Sequence, residues 1–107
     1  MDPIDASVLE EDGLWSWTLQ DLLEAYRNGV DGAAWDTRLV PRPWGFSLAS
    51  IRVPVFLWHG EQDRYAPPSM ARYLAQTIPN CRATFVPNMG HLSLFVRFAD
   101  TYLEAFL

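Results

Sequence analysis

The sequence predicts an α/β fold: two parallel strands with flanking helices, preceded by a helical segment. Three observations carry this expectation. The run Val53 to Trp58 (VPVFLW) is apolar without alternation, the pattern of a strand covered on both faces, as in a parallel sheet. A helix-length stretch then leads to a second short apolar run, Ala83 to Val86, and two strands joined through such a helix pair in parallel with a right-handed crossover. The residues on either side of this unit carry apolar positions at helical spacing.

In chain order, residues 1–47 read as helical and irregular. Leu19, Leu22, Leu23 and Tyr26 fall at i, i+3, i+4 and i+7, one stripe of a helix. Thr18 suits its N-cap, Asp21 the positive end of its dipole, and Gly29 its stop. A second short helix beginning near Asp31 carries Ala34, Trp35 and Leu39. Val40-Pro41-Arg42-Pro43-Trp44-Gly45 breaks the helical pattern, because each proline biases its predecessor to extended backbone; this is the internal boundary. Residues 48–107 read as strand, helix, strand, helix. Pro54 lacks an N–H and fits a strand start or edge. Pro67 and Pro68 suit the first turn of the next helix, whose buried stripe is Met70, Ala71, Leu74, Ala75 and Ile78, and Pro79-Asn80 ends it. The last helix sets Phe95, Phe98, Ala99, Tyr102, Leu103 and Phe106 on an apolar face opposite Arg97, Asp100, Thr101 and Glu104.

Composition narrows the class. With 107 residues the chain is one domain at most, and with half of them hydrophobic and a fifth charged it is neither disordered nor fibrous. No apolar run approaches about 18 residues, so no transmembrane helix is expected. The start, MDPIDASVLEED, lacks the basic-then-apolar order of a signal peptide, and a cytoplasmic location is the default expectation. Net charge is −5, with seven acids and no base in the first 24 residues; every base is arginine. An acidic total without a basic stripe argues against nucleic-acid binding, and the acidic start is expected to be a solvated, frayed end. A lone cysteine, Cys81, excludes a disulfide framework and a multi-cysteine zinc site, and is expected to be an inert thiol.

The chemistry lies after the two strands. His59-Gly60-Glu61-Gln62-Asp63-Arg64-Tyr65-Ala66-Pro67 follows the first, and Pro87-Asn88-Met89-Gly90-His91 follows the second. Ligands of open parallel sheets sit beyond the carboxyl ends of the strands, and neighbouring strands are about 4.8 Å apart, so Asp63 and His91 are expected to meet. A carboxylate on imidazole Nδ1–H holds the tautomer that leaves Nε2 as a general base. Gly60 and Gly90 allow backbone that a Cβ would obstruct.

The run V-P-V-F-L-W-H-G-E-Q-D-R-Y-A-P-P, followed 28 residues after Asp63 by the histidine of N-M-G-H, resembles the C-terminal part of α/β-hydrolase fold enzymes. There a strand is followed by G-x-x-D with a proline soon after, then helix, strand and G-H; here W-G-F-S-L-A-S-I also resembles the return from the cap region. The strong resemblance covers about residues 44–107. It implies a C-terminal fragment of an α/β-hydrolase fold, with 1–47 the end of the cap and 48–107 the end of the core. It also implies Asp63 as acid and His91 as base of a nucleophile–acid–His triad. No G-x-S-x-G occurs: none of Ser7, Ser16, Ser47, Ser50, Ser69 and Ser93 is flanked by both elbow glycines, and Cys81 sits just before the second strand. The expectation is therefore a hydrolase, acting on a small-molecule ester, amide or related bond, whose nucleophile lies outside this chain.

Other readings stand beside this one. Asp63 as a simple Asx-turn acid and His91 as an ordinary helix-start histidine are the bland alternatives. His59, Glu61, Asp63 and His91 together suggest a metal, but the spacing typical of zinc ligands is missing; no metal or cofactor is implied, since triad chemistry needs only side chains and water. His59 is expected to shape the acid loop, Arg64 to pair at the surface, and the five tryptophans to pack in core or cap. Met89 stands next to the site as a weaker candidate for substrate contact. The other function class is a non-catalytic hydrolase-like interaction module. The first strand has one open edge, and a two-stranded sheet is marginal alone, so a homo-oligomer or a swapped dimer is expected. Neither a nucleic acid nor a membrane is expected as partner.

Overall fold

The computed structural model describes residues 1–107 apart from the side chain of Asp12. Its elements run α1 (Pro3–Glu10), α2 (Leu14–Ala25), α3 (Asp31–Leu39), β1 (Val55–Gly60), α4 (Pro68–Thr77), β2 (Cys81–Val86) and α5 (His91–Leu103), with short 3-10 turns at 11–13, 48–50 and 104–106. The α/β reading holds. β1 and β2 pair in parallel, from Val55 opposite Cys81 to Gly60 opposite Val86. β1 starts and ends two residues later than its apolar run suggests, while β2 starts two residues earlier and ends at Val86 as expected. β1 begins at Val55 because Pro54 offers no N–H to the ladder. β2 already begins at Cys81, which therefore lies in the strand.

Side chains alternate across β1. Phe56 and Trp58 face α5, where Phe56 meets Phe106 edge-on at 5.6 Å and Trp58 meets Phe98 and Tyr102 at 6.2 and 6.4 Å. On the other face His59 lies against Phe85, and Arg72 of α4 stacks its guanidinium 4.3 Å over the Phe85 ring. β1 is half-buried and β2 exposes Arg82, Ala83 and Thr84, so the expected full cover on both faces is not reached. The expected stripes are also trimmed. Ala71 of α4 and Ile78 just after it are buried but Met70 is exposed; on α5 Ser93 and Leu94 are buried while Phe95 and Leu103, and Phe106 in the turn that follows, are exposed. Trp15, Trp17, Trp35 and Trp44 are all more than half exposed, contrary to the expectation of core or cap packing; only Trp58 is half-buried. In each case the surface that would cover these side chains is not supplied by the rest of the 107 residues.

The amino-terminal helices differ most from expectation. Residues 3–10 form a docked helix and not a frayed end. Asp2 caps it, accepting from the Ile4 N–H at 2.9 Å, and Pro3 occupies the first turn where its missing N–H costs nothing. Its inner side buries Asp5, Val8 and Leu9 against α5. Glu11 reaches Arg97 of α5 at 2.6 Å, an exposed pair worth no more than about 1 kcal/mol. α2 starts at Leu14 and not after Thr18, because Gly13 takes a left-handed turn (φ 72°) that re-aims the chain. Thr18 is then mid-helix, with its hydroxyl donating back to the Leu14 carbonyl at 2.8 Å. α2 ends at Ala25, and Gly29 (φ 103°) closes the turn that follows.

The radius of gyration is 16.0 Å, against about 13 Å for a compact chain of this length. The accessible surface is 8285 Å², where a folded monomer of this mass exposes about 6,100 Å².

The strand ends are packed tightly. A Cβ on Gly60 would lie 2.6 Å from the Gly90 carbonyl oxygen and closer still to that of Met89, so backbone blocks any side chain there. Gly60→Ala is expected to cost about 1–3 kcal/mol, seen as a lower urea midpoint at unchanged slope; an unchanged midpoint would mean that the two loops do not meet at this glycine.

Candidate active site

Both loops leave the same end of the sheet. The β1–α4 loop is stitched to the β2–α5 loop by backbone: Glu61 N–H donates to the Val86 carbonyl and Gln62 N–H to the Met89 carbonyl, each at 2.9 Å. Asn88 takes a left-handed conformation (φ 56°) in the turn that leads to Gly90 and the start of α5. The loops therefore cannot separate without breaking ladder-like hydrogen bonds at the strand ends.

Asp63 is buried, with 6 % exposure. Its Oδ1 accepts from the N–H groups of Tyr65 and Ala66 at 2.9 and 2.8 Å, the Asx turn of the bland alternative. Its Oδ2 lies 2.9 Å from His91 Nδ1. The turn and the pair coexist because they use different oxygens. A carboxylate only accepts, so Nδ1 carries the proton and Nε2 keeps its lone pair for a substrate or nucleophile. The side chain of His91 is 45 % exposed, so Nε2 has access to partners, while Asp63 behind it does not.

The remaining candidates surround this pair. His59 Nε2–H donates to the Ala66 carbonyl at 2.9 Å and stands 3.7 Å from Asp63 Oδ2, so it braces the acid loop from below. Glu61 points to Arg72 at 3.7 Å, away from the pair. Arg64 meets Asp2 of the α1 cap at 3.2 Å, its own head exposed. The Tyr65 ring lies 5.0 Å from that of His91 and is itself exposed. Met89 enters through its backbone carbonyl. An open groove of about 540 Å³, lined by Phe56, Trp58, Phe95, Tyr102 and Phe106, leads to His91.

Sequence reasoning missed Asp5. It is 5 % exposed, and its carboxylate faces the first turn of α5. Oδ2 accepts from the His91 N–H at 2.9 Å. Oδ1 accepts from the N–H groups of Leu92 and Ser93 at 3.1 and 2.8 Å and from the Ser93 hydroxyl at 2.7 Å. Ser93 Oγ in turn accepts from the Gly90 N–H at 2.7 Å. These are the orphan donors of a helix N-terminus, met by a charge of favourable sign; hydrogen bonds to a charged group contribute about 1.5–3 kcal/mol each. Burial by itself would push the Asp5 carboxyl up, but the hydrogen bonds from Ser93, His91 and Leu92 outweigh it and hold it below the usual carboxylate range. The local signal was present, since Asp2-Pro3 opens a helix; its landing place on α5 was not.

A carboxyl depressed in the folded state stabilises it above the unfolded group's pKa, and this contribution is lost as pH falls through the folded value. The α1–α5 contact is therefore expected to open below the ordinary carboxylate range. Amide exchange at Ser93, corrected for its intrinsic rate, should accelerate there in the wild type and show no such acid limb in Asp5→Asn. An acid limb of equal size in both would assign it to other carboxylates.

Comparison with known proteins identifies the family of the chain. Residues 10–98 match the model of the alpha/beta hydrolase fold family. The chain is 36 % identical over 75 residues to rhodomycin D methylesterase DauP of Streptomyces sp. (strain C5), covering 67 % of this chain and 25 % of that protein. It is 40 % identical over 53 residues to rhodomycin D methylesterase DnrP of Streptomyces peucetius, covering 50 % of this chain and 18 % of that protein. The chain thus spans at most about a quarter of the length of these relatives. A strand, a G-x-x-D loop, a helix, a second strand and a G-H turn, all inside the matched span and joined at one carboxylate–imidazole contact, place this chain in the α/β-hydrolase family.

Proposed function

We propose that the chain is the C-terminal part of an ester hydrolase, in which Asp63 is the acid and His91 the base of a nucleophile–acid–His triad. The observation that carries this reading is the 2.9 Å contact between Asp63 Oδ2 and His91 Nδ1 at the carboxyl ends of two parallel strands. The nucleophile, a hydroxyl on the reading favoured here, comes from polypeptide beyond these residues, which contain no G-x-S-x-G. The excess surface, the exposed tryptophans and the relatives' greater length support a larger whole. Residues 1–47 are the end of its cap and 48–107 the end of its core.

In turnover His91 Nε2 takes the nucleophile's proton as its oxygen bonds to the ester carbonyl carbon. Asp63 holds the resulting imidazolium. The C–O bond to the alcohol then breaks, the alcohol leaves with that proton, and water hydrolyses the acyl-enzyme by the same route. The named relatives are methylesterases, and the aromatic groove leading to His91 suits an apolar substrate, so a methyl ester on an apolar scaffold is the substrate class we infer.

In the complete protein, His91→Ala is expected to lower kcat at least about 10⁴-fold with the fold retained. The 107-residue chain alone is expected to show no turnover of simple aryl esters, because nucleophile and oxyanion donors are missing. Robust turnover by the isolated chain, or a complete protein indifferent to His91→Ala, would overturn the reading.

The second reading is a hydrolase-like interaction module without catalysis. It is favoured by the edge of β1 away from β2, which has no strand beside it, next to many exposed aromatic side chains. On either reading we infer that the isolated chain self-associates, by edge pairing or by exchange of elements around residues 40–45. Light scattering should show dimers or larger species; a strictly monomeric, cooperatively folding chain at high concentration would tell against it.

A further inference from the structure

Asp5 lies 86 residues before the base it touches, on a helix whose last residue is the first of those matching the family model. Its carboxylate satisfies the backbone of the one residue whose imidazole must meet Asp63. Only two side-chain torsions separate the His91 backbone from Nδ1, so a shift of the first turn of α5 is passed directly to the 2.9 Å contact with Asp63 Oδ2. The charge matters as well as the shape, because His91 is the first residue of α5 and a carboxylate is both the stronger acceptor for its N–H and of favourable sign at that end of the helix dipole. Asp2, Arg64 and Tyr65 also face His91, but Asp2 and Arg64 are already paired with each other, and Asp5 alone bonds the His91 backbone.

We propose that Asp5 is a positioning residue for His91, holding the start of α5 so that the imidazole stays on Asp63. This rests on the reading of His91 as base, and adds to it a control exerted from α1. Asp5→Asn separates shape from function. Its amide keeps one acceptor for Leu92 and Ser93 but sets an NH2 group against the His91 N–H.

The test is proton NMR of the 107-residue chain, following the His91 Nδ1–H, with the His59 Nε2–H on the Ala66 carbonyl as reference in the same loop. In Asp5→Asn the His91 Nδ1–H is expected to exchange with water at least about tenfold faster or to broaden away, while the His59 line stays. Asp5→Glu, which keeps the charge, is expected to restore part of the His91 line. An unchanged His91 line in an Asp5→Asn chain that has lost the His91 N–H contact would overturn the proposal. Should Asp5→Asn fail to fold, Asp5→Ser is read in the same way. Collapse of both neutral variants would also overturn it, since Asp5 would then anchor the fold and not the imidazole. The measurement needs no turnover, so its failure is distinct from failure of the hydrolase reading, which activity of the complete protein decides.

Discussion

The parallel, in-register pairing of β1 with β2 is the constraint on which the site depends. Parallel strands end together, so the loops that leave Gly60 and Val86 emerge side by side. Gly60 then allows the backbones to approach within a distance that no side chain would permit, and two further N–H groups of the acid loop bond the second loop. From that point Asp63 and His91 have little choice but to meet. An antiparallel pair would have sent the two loops to opposite ends of the sheet.

Around this contact the structure satisfies its polar groups with economy of parts. Asp63 closes its own turn with one oxygen and holds His91 with the other. His59, one strand residue before Gly60, ties the far side of the same loop through Ala66. Asp5 meets the donors that α5 leaves open, and Ser93 links that carboxylate back to the Gly90 N–H. The imidazole thus stands between two buried carboxylates, one at its ring and one at its backbone. Its Nε2 side opens on an aromatic groove, a division into a braced rear and an accessible front that suits proton transfer.

The packing elsewhere is loose in a systematic way. α1, α5, the two strands and α4 form the ordered centre, whereas α2 and α3 bury almost nothing and carry exposed tryptophans. Neither outer edge of the two-stranded sheet has a strand beside it, and much of the apolar face of α5 is open to solvent. The relatives named above are nearly three times as long as this chain, and on the proposed reading such surfaces are where more polypeptide packs.

The order of elements from α2 onward, the helix–strand alternation and the meeting of Asp63 with His91 were legible in the sequence. They depend on local signals: apolar runs, prolines at first turns, and two short motifs whose strand context places them at one sheet end. Boundaries shifted where local signals compete, as at Gly13 and Thr18, where a left-handed glycine outweighs a good capping residue. The sequence by itself determined the parallel unit and the chemistry it presents, because pairing direction and motif position follow from residues close to one another. Only the tertiary structure decided that the acidic start is a docked helix with its carboxylate on α5. That contact is made across 86 residues, between a side chain and backbone donors that every helix start possesses, and no residue pattern marks which one it will choose.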